Sequence, residues 1–146
     1  VSNRDEIKDL FTQSGLPCSL DDVNYAFPTK GWVKEVFGPA FDQYNFNLGL
    51  SKGESEANDC DDFANRAKQY AQMLWFAHRR PPGTALFFAV CKYKIGGDFF
   101  KGHAINATVV AGSDGKAEIV FFEPQPKAHI VKLTKEELES CSAILG

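Results

Sequence analysis

The apolar positions change period once along the chain. Before Thr84 they recur mostly at helical spacing; from Thr84 onward they alternate as strands do. Residues 2–12 carry a short helical pattern in which Ile7, Leu10 and Phe11 form one stripe. Asn3 is placed to cap it, and Gly15 to Pro17 end it. Residues 19–51 are aromatic but broken by Pro28, Gly31, Gly38 and Pro39. This predicts loops and short elements, with one short helix over 32–37. Residues 52–58 are polar and small, an exposed loop. The clearest helix spans 61–78, where Phe63, Ala67, Tyr70 or Ala71, and Leu74 share a face. Asp61 and Asp62 in its first turn, and His78, Arg79 and Arg80 in its last, suit the helix dipole. Pro81 and Pro82 stop it.

The second half reads as an antiparallel sheet. Residues 85–93 predict a buried strand, Gly96-Gly97 a turn, and 103–111 a strand with Ile105, Ala107 and Val109 on one side. Ser113-Asp114-Gly115 is a hairpin turn, and 117–122 is the returning strand. Residues 129–133 add a further strand. Thr134 then caps a C-terminal helix, with Glu137 as its capping-box partner. Helices first and sheet second predict an α+β fold, one helix packed on an antiparallel sheet.

Composition narrows the classes. The 146 residues suit a single domain, and 44% hydrophobic content supplies a core, which excludes disorder. A net charge of −3 argues against general nucleic-acid binding, which needs a basic face. No apolar run approaches the roughly 20 residues of a membrane span. The chain starts at Val1 with neither a signal peptide nor an initiator Met, so it is expected to be processed or to be a piece of something longer. Cytoplasmic and secreted locations both remain open. The four cysteines, Cys18, Cys60, Cys91 and Cys141, form no C-x-x-C pair and read as individual thiols. Cys91 lies in an apolar run and reads as core; Cys18 and Cys141 lie near the ends and could pair or stay free.

Three features carry chemistry. Cys60 stands at the start of the strong helix, where free N–H groups and the dipole favour a thiolate and can hold an oxyanion. A cysteine there also reads as a small core residue. If the hairpin centres near Asp114, His103 falls opposite Gln125 and Ile105 opposite Glu123, which makes His103 and Glu123 diagonal neighbours on one face. An imidazole held by a carboxylate is the orienting half of a nucleophilic triad, although surface hairpins carry such pairs too. Third, Asp59, Asp61 and Asp62 surround Cys60 with negative charge, which opposes a thiolate. A hard cation held by Asp61, Asp62, Glu123 and Gln125 would relieve that conflict; plain helix capping by the aspartates is the other reading.

Three blocks in order, Asn58-Asp59-Cys60-Asp61-Asp62-Phe63-Ala64, Gly102-His103-Ala104-Ile105-Asn106 and Ile119-Val120-Phe121-Phe122-Glu123-Pro124-Gln125, resemble the papain-like catalytic domain of fungal chimerolectins of the Marasmius oreades agglutinin type. More distantly they are similar to transglutaminase-like cysteine peptidases. The resemblance implies a cysteine peptidase with Cys60 as nucleophile, His103 as general base and Glu123 as the residue that orients it. It implies activation by calcium or manganese through acidic residues beside the triad, a protein or peptide substrate, and a homodimer. The β-trefoil lectin domain of those proteins has no counterpart in residues 1–146, so carbohydrate binding is not expected. Amine transfer by the same triad, and a catalytically silent metal-binding or dimerisation module on this scaffold, are the alternatives.

Overall fold

The structure, a computed structural model, describes residues 4–22, 24–52, 59–78 (His78 by its backbone), 85–111, 114 and 116–146. The predicted cap at Asn3, the loop over 53–58, the helix stop over 79–83 and the turn residues Gly112, Ser113 and Gly115 lie outside the described residues.

Helix α1, Arg4–Gln13, buries Ile7 and Phe11 as its stripe requires, and Gly15 (φ 71°) turns the chain out of it in the left-handed region. The punctuated segment that follows is more helical than its glycines and prolines suggest. A π-helical turn, Trp32–Phe37, runs directly into α2, Gly38–Asn47, where the sequence predicts loop. The physical reason lies at Pro39. The wide turn lets the Gly38 N–H reach the carbonyl of Val33, and Pro39 sits in the first turn of α2, where a missing N–H costs little. Gly38 lies near Phe122 and the Ala128 carbonyl, where a Cβ would make ordinary van der Waals contact.

Helix α3, Cys60–His78, matches its expected bounds to one residue. Phe63, Ala67, Ala71 and Trp75 recur at every fourth position and are buried against Trp32, Phe37, Phe41, Leu86, Phe88 and Phe122. Among the described residues no helix is long and apolar enough to cross a membrane.

The predicted strand over 85–93 divides at Phe87 into two strands. Strand β1, Tyr25–Ala26, pairs in parallel with β2, Ala85–Leu86, while β3, Phe88–Lys94, joins the main sheet. Hydrogen bonding explains the break. The side chain of Gln72 on α3 takes both polar groups of the Leu86 backbone, at 2.6 and 3.2 Å, and Thr108 Oγ1 donates to the Phe87 carbonyl. The main sheet adds β4, Gly102–Ala111, β5, Ala117–Glu123, β6, His129–Val131, and β7, Ala143–Leu145, in the antiparallel order β6-β5-β4-β3-β7.

Helix α4, Lys135–Glu139, has the predicted capping box, with Thr134 and Glu137 exchanging side-chain and backbone bonds. It is short, and the chain beyond it forms β7 rather than more helix. An Ala-Ile-Leu triplet has no readable alternation, and only its pairing with β3 makes it a strand. One face of the sheet packs Cys91, Ile105, Ala107, Val109 and Phe121 under α1; the other packs Phe88 and Phe122 under α3. Covering on both faces buries β4 almost throughout, instead of on alternate residues.

Candidate active site

The site is built where the N-terminus of α3 meets the turn end of the β3/β4 hairpin. Asp59 precedes the helix, and its backbone N–H donates to Asp62 Oδ2 at 3.0 Å. The Asp62 N–H donates back to Asp59 Oδ1 at 3.4 Å, and the Phe63 N–H reaches the Asp59 carbonyl. This reciprocal cap places Cys60 in the first turn. Cys60 is half-buried against Ala64, Val90 and Ala104, three side chains small enough to let the helix end approach the sheet.

Asn106 secures that approach. It is fully buried on β4, and its Nδ2 donates to the carbonyls of Ala64 (2.9 Å) and Ala89 (3.1 Å). Ala64 lies one turn beyond Cys60, so the bond ties the turn that carries Cys60 to the strand that carries His103.

His103 Nε2 and Glu123 Oε1 are 2.7 Å apart, with side chains 13% and 21% exposed. The β4/β5 ladder pairs Ala111 with Ala117 and Asn106 with Phe122, a hairpin centred on Asp114. One further step sets Glu123 opposite Ile105, so His103 reaches it diagonally, as the sequence predicts. Behind the imidazole, Tyr93 occupies the paired position on β3 and meets it edge-on, with ring centroids 5.7 Å apart. With Nε2 engaged by Glu123, Nδ1 is the nitrogen left to exchange a proton.

Cys60 and His103 line one cavity of about 300 Å³, together with Asp61, Lys92, Tyr93, Lys94, Gly102 and Ser142. Burial pushes the Cys60 thiol above its ordinary value; the Ala104 and Asp61 N–H groups pull it back, and the charges of Asp61 and Asp59 add to the rise. The electrostatic conflict expected from the flanking aspartates is therefore present, and the thiol needs a base to lose its proton near neutrality.

The four expected cation ligands, Asp61, Asp62, Glu123 and Gln125, each face solvent or another partner. Asp61 is exposed, Asp62 is committed to the helix cap, and Glu123 faces His103. The Gln125 N–H only approaches Glu123 Oε2, at 3.5 Å. Among the described residues no group of three or more His, Cys, Asp and Glu side chains is placed to hold a metal ion.

No protein-family model matches the chain, and no curated protein matches it. Solved structures do. The chain is similar to PSL1a in its complex with E64, at a TM-score of 0.64 and 22% identity, over 90% of this chain and 42% of that one. The fold is papain-like. A second likeness, at a TM-score of 0.62 and 22% identity with the same coverage, is to the Polyporus squamosus lectin bound to the human-type influenza-binding epitope Neu5Aca2-6Galb1-4GlcNAc. The likeness agrees with the expected α+β architecture, a helix packed on an antiparallel sheet. The chain spans about 42% of the length of both structures, and the identity is low enough that the likeness speaks for the fold alone.

Within this papain-like frame, sequence reading misses part of the cleft. Tyr93 becomes visible only if 85–93 and 103–111 are registered about the turn between them. Ser142 has no signal, because it reaches the cleft through the pairing of β7 with β3. His129, the remaining histidine outside α3, is exposed, and its Nδ1 meets the Lys127 carbonyl at 2.7 Å.

Proposed function

We propose that this chain is a cysteine peptidase that works by acyl transfer through Cys60, His103 and Glu123. The observation that carries the reading is the 2.7 Å His103–Glu123 pair, whose imidazole lines the same cavity as Cys60. His103 Nδ1 takes the proton from Cys60 Sγ, and the sulfur attacks the peptide carbonyl. The first N–H groups of α3 hold the resulting oxyanion. His103 returns its proton to the departing amine, then draws one from the water that cleaves the thioester. Glu123 keeps the ring oriented and balances the imidazolium. The substrate is a protein or peptide.

One observation favours a second reading, a catalytically silent scaffold: the Cys60 thiol is raised, which a bare nucleophile would not want. Labelling with E64, a thiol-reactive epoxide, separates the two. Rapid adduct formation on the Cys60 peptide, lost in His103→Ala, supports the peptidase. Adducts spread over all cysteines, or none, support the silent scaffold. Adding a primary amine to a cleavable peptide then distinguishes hydrolysis from amine transfer by the mass of the product.

A further inference from the structure

A pair of thiols meets away from Cys60. Cys91 is fully buried on β3, and Cys141 follows α4, half-buried, with 3.7 Å between the two sulfurs. The backbone on both sides is already fastened. The Lys94 N–H donates to Ser140 Oγ at 2.9 Å, and the Ser142 N–H donates to the Lys92 carbonyl at 2.9 Å, so the residues on either side of Cys141 are anchored to β3. The β3/β7 ladder continues from there with Lys92 opposite Ala143. Closing the gap to a covalent bond of about 2.05 Å needs a side-chain adjustment and no new strand pairing.

We propose that Cys91 and Cys141 form a reversible oxidation site for hydroperoxides. The Cys141 sulfur attacks the terminal peroxide oxygen and breaks the O–O bond; Cys141 becomes a sulfenic acid, and the remainder leaves as water or an alcohol. The Cys91 thiol then displaces the hydroxyl from Cys141 as water, and the disulfide closes. Two thiols lose two electrons in all, and one peroxide gains them. A dithiol reductant reverses the step by thiol–disulfide exchange.

The two sulfurs differ in the way this order requires. The contact with Cys91 lowers the Cys141 thiol, while the same contact and burial raise Cys91. Cys141 is also the more accessible of the two. The competing partner is Cys18, close enough to feel the charge of Cys141, but burial raises its thiol to about 11 and keeps it protonated. Closure would tie Cys141, and with it the adjoining cleft residue Ser142, covalently to β3. The site does not depend on the reactivity of Cys60.

The test treats the full chain with one equivalent of hydrogen peroxide, blocks remaining thiols with N-ethylmaleimide, and maps the unreduced digest by mass spectrometry. The expected result is a cross-linked peptide joining Cys91 to Cys141. Dithiothreitol should abolish it, and the thermal midpoint should rise on oxidation and fall on reduction. The Cys60 peptide is followed separately, so its own oxidation is not mistaken for the bridge. A Cys18–Cys141 cross-link, or oxidation that stops at Cys141 sulfenic or sulfinic acid, would overturn the proposal. Cys91→Ser and Cys141→Ser should each lose the cross-link; the wild-type map decides the matter even if a variant folds poorly.

Discussion

Asn106 donates from Nδ2 to the carbonyl of Ala64 at 2.9 Å and joins the strand of His103 to the helix of Cys60. The bond lies in the interior, where leaving its acceptors unpaired costs about 1–3 kcal/mol. Asn106→Ala should lower stability by about that much in urea unfolding. It should also reduce kcat for peptide cleavage more than it changes KM, because the substrate still finds the cleft while the nucleophile is displaced. A variant with lower stability but unaltered kcat would make Asn106 a purely structural residue.

Glu123→Gln keeps the size of the side chain and the hairpin register but removes the negative charge beside His103. Activity should fall by a factor on the order of 10² to 10⁴, with stability changed by less than about 1 kcal/mol. Steady-state cleavage assays and a denaturant titration on the same preparation check both numbers. Full activity would remove Glu123 from the mechanism.

The raised Cys60 thiol gives a pH signature. Burial and the charges of Asp61 and Asp59 disfavour the thiolate, so in His103→Ala the iodoacetamide rate at Cys60 should rise only above the ordinary value of 9.0. In the wild type, transfer of the proton to His103 should give substantial labelling near neutral pH. Asp61→Asn removes a charge that raises the thiol, so it should shift the His103→Ala profile to lower pH. Coincident profiles in wild type and His103→Ala would show that the imidazole does not take the Cys60 proton.

Asp62 is a cap. Its carboxylate accepts the Asp59 N–H at 3.0 Å, and capping groups of this kind contribute about 0.5–2 kcal/mol. Asp62→Ala should cost that much, by the same amount in calcium and in chelator. A cost that appears only with calcium present would return Asp62 to the role of a metal ligand.

Local chemistry explains which parts of this molecule are legible without coordinates. The hairpin turn sits between two alternating strands, so counting outward from Asp114 brings His103 to Glu123. The Thr134/Glu137 capping box and the span of α3 are local for the same reason, each depending on residues within a turn or two of helix. Gly38 and Pro39 mislead because their usual role as breakers is cancelled by a π turn ahead of them, in which the Gly38 N–H reaches the Val33 carbonyl.

From the sequence alone follow the α+β order, the His103–Glu123 pair and the place of Cys60 at a helix start, because periodicity, turn chemistry and capping act between near neighbours. Tertiary structure decided that Cys60 and His103 share a cavity, that Tyr93 and Ser142 complete its wall, that Asp62 turns to the cap, and that Cys91 meets Cys141. Each of these depends on how α3 and β7 dock on β3 and β4. That docking is set by small residues, a buried asparagine and an edge-strand pairing across long sequence separations, which no local pattern encodes.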